Sequence, residues 1–108
     1  MSEIRNFKLG TILSVTTGCN LTKKGKFGEV EELFWWIYND DLINSTGMGI
    51  LKEETKNHLL TLHPELKEVT YKKGSDVDKF VLKQEKKFGK VLPVTRIGEE
   101  LPNEVKHR

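Results

Sequence analysis

The chain reads as a mainly helical α+β domain, with three to four helices and a small two-stranded β-sheet. Three observations predict this. Apolar residues recur at helical spacing over Gly28–Asp40, Ile50–Leu62 and Ser75–Phe88. Two short stretches, 67–73 and 91–97, carry the β-branched and aromatic alternation of strands. The length of 108 residues allows one core of modest size and not two.

Residues 7–18 admit two readings. Phe7, Leu9, Leu13 and Val15 nearly alternate, as in a strand. Leu9, Ile12, Leu13 and Thr16 also fit one helical face, with Asn6 as N-cap and Gly18 as stop. The helical reading supplies the fourth helix. Cys19 to Lys26 is rich in Lys, Asn, Thr and Gly and reads as a polar loop.

The next segment is the most strongly patterned. Val30, Leu33, Phe34 and Ile37 fall at i, i+3, i+4 and i+7, one face of an amphipathic helix. Early glutamates suit the positive end of its dipole, and Asn39, Asp40 and Asp41 end it. At roughly 100° per residue, Trp35 lands opposite the apolar face. Either the 19–26 loop folds over that ring while Trp36 and Tyr38 flank the core, or the ring anchors a partner or a second copy.

A glycine-containing loop, 44–49, precedes a helix from Ile50 to Leu62 whose face holds Leu51, Thr55, His58, Leu59 and Leu62. Pro64 ends it. Val69 and Tyr71 alternate in the 67–73 strand. Ser75 as N-cap, with Asp78 three residues on, opens a helix that presents Val77, Phe80, Val81, Gln84 and Phe88 on one face, closed by Gly89. The second strand, 91–97, contains Pro93, which belongs on an edge. Residues 1–97 form the single domain, and 98–108 read as a flexible tail.

Composition narrows the function. Eighteen basic against sixteen acidic residues give a net charge of +2, without the concentrated basic surface that phosphate contacts require, so nucleic acid is an unlikely partner. No apolar run approaches a membrane span, and the first residues lack a signal-peptide core, so a cytoplasmic protein without membrane contact is expected. The single cysteine, Cys19, forms no internal disulfide. Cys19, His58 and His63 lack the spacing of a zinc site, and no cofactor or metal is expected. His58 reads as a hydrogen-bonded core imidazole and His63 as a cap on its helix end. Asp40 and Asp41 read as solvated carboxylates, and no nucleophile–base pair stands out, so the expectation is not an enzyme.

Binding residues follow from the same pattern. The partner-binding candidates are Trp35, Trp36, Tyr38, Glu31, Asp40 and Asp41. A ligand site is the alternative: Thr16, Thr17 and Gly18 with Ser45, Thr46 and Gly47 form two small-residue loops whose backbone N–H groups attract anions. Neither loop is a P-loop, because no Gly-Lys-Ser/Thr follows at the required spacing.

Four stretches carry a resemblance: Leu13–Gly18, Gly28–Ile37 running on to Asp40-Asp41-Leu42, Leu59–Leu66 and Lys87–Val94. In order and spacing the chain resembles a family of small proteins of unknown function encoded in phages and prophages. The resemblance spans roughly residues 7–95 and implies a polar residue where this chain has Trp35. It implies the bacterial host cytoplasm and stoichiometric action. The leading expectation is an anti-defence inhibitor, anti-CRISPR-like or other, of a host protein. The alternative is a sponge that sequesters a signalling nucleotide, with pockets framed by self-association.

Overall fold

The computed structural model describes residues 3–19, 21, 28–99 and 101. Within them the architecture is α+β and mainly helical, with four α-helices and one two-stranded antiparallel sheet. In chain order these are β1 (Ile4–Lys8), α1 (Leu9–Thr16), α2 (Gly28–Tyr38), α3 (Ser45–Leu62), a 3-10 segment (Pro64–Glu68), α4 (Val77–Phe88) and β2 (Val91–Thr95).

α1 is the hub. Leu9, Thr11, Ile12, Leu13, Val15 and Thr16 are all buried, so this helix is covered on nearly every side, by α2, α3, α4 and β1. A helix enclosed in this way is apolar at every phase. That explains why its sequence fits both periods: the surroundings supply no polar face to break the tie. β1 leads into it without a loop, and the Leu9 N–H bonds to the Lys90 carbonyl at 2.9 Å. The expected Asn6 cap is therefore replaced by strand pairing, because Asn6 lies within β1 opposite Pro93.

The sheet differs from the expectation. β2 pairs with β1, from Ile4 opposite Thr95 to Lys8 opposite Val91, and not with 67–73. In two strands every strand is an edge, so Pro93 sits there without an N–H to lose. The 67–73 stretch begins inside the 3-10 segment and then runs unpaired. Its alternation has another cause: Val69 and Tyr71 pack against the core, and Tyr71 meets Phe80 of α4 edge-on, 5.1 Å between ring centres.

Two helix starts also shift. α3 begins at Ser45, because Asn44 accepts from the Gly47 N–H at 2.9 Å and caps it, so 45–49 is helix and not loop. A side chain at Gly47 would press on the Ile43 methyl at 3.2 Å, which accounts for that glycine. α4 is capped by Asp76, one residue beyond Ser75, through the Lys79 N–H at 3.0 Å. Its apolar face is only half covered, and Leu82 is exposed.

His58 and His63 fasten the end of α3 to β2. Both are buried. Their Nε2 atoms donate to the carbonyls of Thr95 at 2.9 Å and Pro93 at 2.7 Å. Past β2, Leu101 is 4% exposed and belongs to the core. Residues 100 and 102–108, with His107 and most of the expected tail, lie outside the described residues, as do 20 and 22–27 of the expected polar loop.

Candidate functional site

The C-terminal end of α2 leaves carbonyls that no helical N–H can reach. Four groups answer them. Asn39 turns to the left-handed region, φ 52°, which an asparagine tolerates better than most residues. Its N–H and that of Asp40 then return to the carbonyls of Trp36 and Trp35. The Ile97 N–H takes the Ile37 carbonyl at 2.9 Å, and the Arg96 guanidinium donates to the Trp36 carbonyl. A cation at that position also complements the negative end of the helix dipole.

Arg96 does more than cap. Its guanidinium lies 4.5 Å above the Trp36 ring, Trp36 meets Phe7 edge-on at 6.0 Å, and the Arg5 guanidinium lies 4.8 Å from the Phe7 ring. Two cations thus bracket two aromatic rings across α2 and the sheet. Arg5 in turn pairs with Glu32, and Lys8 with Glu29 at 3.3 Å. Those glutamates are partnered within the fold, where β1 supplies the cations.

The result is an open cleft of about 400 Å³ lined by Arg5, Glu32, Trp35, Trp36, Asn39, Asp40, Asp41 and Arg96. Four of the six partner-binding candidates meet in it: Trp35, Trp36, Asp40 and Asp41. Trp35 is half-buried, however, and does not stand free in water. Its Nε1–H donates to the Ile43 carbonyl at 2.8 Å, so the 39–43 turn holds the ring. Asp40 is partly spent on that turn, accepting the Leu42 N–H at 2.9 Å, while Asp41 is exposed. The turn pushes Leu42 out to 86% exposure, and Ile50 on α3 is 77% exposed.

The other two candidates lie elsewhere. Glu31 is outside the cleft. Tyr38 points to α3, where its hydroxyl meets Thr55 Oγ1 at 2.8 Å and Thr55 donates to the Leu51 carbonyl. Burial pushes the Tyr38 phenol above its ordinary pKa; the Thr55 hydrogen bond opposes this and the charge of Glu54 adds to it. No family model, curated protein or solved structure matches this chain.

The ligand-binding candidates separate. Thr16 is buried, and Thr17 closes α1, its hydroxyl donating to the Leu13 carbonyl at 2.6 Å and accepting from the Cys19 N–H. Thr46 and Gly47 sit in the first turn of α3. Gly18 and Ser45 do come together, on a different cavity between α1, α2 and α3. Among the described residues no three of His, Cys, Asp and Glu gather as metal ligands would. Sequence reasoning missed Arg5, Arg96 and Leu42. The signal available for Arg96 was only a cation near the end of the expected 91–97 strand, and which helix end it would cap is not written locally.

Proposed function

We propose that this protein acts by stoichiometric binding of a partner protein, through the cleft at the end of α2 and the adjoining 39–44 turn. The observation that carries this reading is the cleft itself. Trp35, Trp36, Arg5 and Arg96 surround it, and Leu42 projects beside it with almost all of its side chain in water. Trp and Arg are the residues that most often supply binding energy at protein interfaces. Three carboxylates, Glu32, Asp40 and Asp41, line it beside the two guanidiniums, which favours a protein surface over a polyphosphate. The resemblance to small phage and prophage proteins supports a setting in a bacterial host cytoplasm, with a host or defence protein as target and anti-CRISPR action as one form. The binding role needs no reaction at the site. Among the described residues no helix is long and apolar enough to cross a membrane.

The test pairs capture with reconstitution. A host protein retained by the immobilised chain is purified, and a fixed-ratio complex is sought by calorimetry and light scattering. Leu42→Glu and Asp41→Arg, each checked for native circular dichroism, should cut affinity at least about tenfold, the usual mark of a contact worth over 1 kcal/mol. A complex that survives both substitutions unchanged refutes the assignment of this face. A monodisperse dimer that Leu42→Glu splits would instead assign the face to self-association.

A further inference from the structure

We propose that the cavity between α1, α2 and α3 is a pocket for a small apolar molecule carrying an anionic group. This inference is independent of the partner face, since the two sites share no lining residue. The cavity measures about 340 Å³, near the lower end of the range for small-molecule sites, so it takes a molecule of one or two rings. Its walls are Val15, Val30, Phe34 and Met48, apolar side chains that are themselves buried in the core. Such walls favour an apolar guest over water, which would find few hydrogen-bond partners there. The Ser14 hydroxyl at the edge is engaged, donating to the Gly10 carbonyl and accepting from the Leu21 N–H, both at 2.8 Å.

Two features of α3 define the occupant. Ser45, Met48, Gly49 and Lys52 recur at i, i+3, i+4 and i+7, so one face of this helix forms a side of the cavity. Among the described residues Lys52 is the one cation lining it, which suits a guest with an anionic group. Gly49 is the more telling residue. A glycine inside a helix costs about 1 kcal/mol relative to alanine, and a Cβ at Gly49 would meet nothing within 4 Å. Gly47, two residues earlier, has a packing reason; Gly49 has none among the described residues. Its missing side chain keeps the cavity open.

The probes are indole-3-carboxylate, its uncharged isostere indole-3-carboxamide, and AMP. Binding is followed by amide chemical shifts and by the rate at which Cys19, on the cavity wall, is alkylated by iodoacetamide. The carboxylate should give saturable shifts at Val15, Phe34 and Gly49 and slow the alkylation. Gly49→Leu fills the space and should abolish both effects without lowering the melting temperature. Lys52→Met should weaken the carboxylate roughly fivefold, the scale of an ion pair facing solvent, and leave the carboxamide unaffected. The proposal is overturned by shifts that never saturate, by undiminished binding to Gly49→Leu, or by a carboxylate indifferent to Lys52→Met. AMP binding more tightly than the indole acid would overturn the assigned ligand class.

Discussion

Replacing Arg96 by alanine tests the central contact of the fold. Its side chain is 22% exposed, so its interactions are only partly screened by solvent. It donates to the Trp36 carbonyl at the end of α2, a charge-assisted bond worth about 1.5 kcal/mol. Stacking on the Trp36 ring at 4.5 Å contributes about 0.5–1 kcal/mol, and the cation at the helix terminus about 0.3–1. The contact to Glu3 at 3.5 Å adds almost nothing, since Glu3 is 72% exposed. Arg96→Ala should therefore lose about 2.3–3.5 kcal/mol, a large part of the total stability of a small domain. Urea unfolding followed by tryptophan fluorescence and circular dichroism measures it, and the melting temperature should fall by on the order of 10 °C or more. Arg96→Lys keeps the charge but not the planar stacking group, and should recover less than half of the loss. A loss below about 0.5 kcal/mol, the usual range for surface substitutions, would refute the reasoning and leave Arg96 a bystander.

Other expectations follow from single contacts. Tyr38→Phe removes the bond to Thr55 and should cost about 1 kcal/mol at neutral pH. Because burial raises the folded-state pKa of Tyr38, its contribution is full below the unfolded value of about 10 and declines as pH rises through the higher folded value. Denaturation from pH 8 to 11 should show a shallower alkaline loss in Tyr38→Phe, and parallel curves would contradict this. Two glycines should respond with opposite signs. Gly89→Ala meets a φ of 103°, closed to other residues, and should destabilise by about 1 kcal/mol or more, whereas Gly49→Ala should stabilise by about 0.5–1 in thermal melts of the ligand-free protein. Leu33→Ala, at a position with no solvent exposure, should cost about 2–5 kcal/mol by the same denaturation assay.

The candidate site was half legible. Trp35, Trp36, Asp40 and Asp41 are neighbours in the chain, and helical geometry alone brings them to one end of α2. What covers Trp35 was not legible, because that depends on the direction in which the 39–43 turn leaves the helix. Asn39 sets the direction by adopting the left-handed region, and the Ile43 carbonyl then meets the indole N–H. That Tyr38 faces α3 and not the cleft was illegible for a similar reason. A partly polar aromatic beside the core face looks the same in sequence whether it meets Thr55 or a partner. The glycines of 44–49 concealed a helix start, since low propensity is overridden when a cap such as Asn44 and packing against Ile43 are both present.

By itself the sequence determined α2, α3 and α4 from their 3.6-residue periodicity, the second strand from its short β-rich run, and His58 as a core group. Those signals are local, and each segment carries its own. Tertiary structure alone decided that β1 pairs with β2, that α1 is enclosed on nearly every side, and that Arg96 reaches back across 60 residues to the end of α2. Strand partners and distant caps are chosen by which surfaces meet once the core closes. A pattern that repeats every two or four residues holds no record of a contact made between the chain's first and last segments.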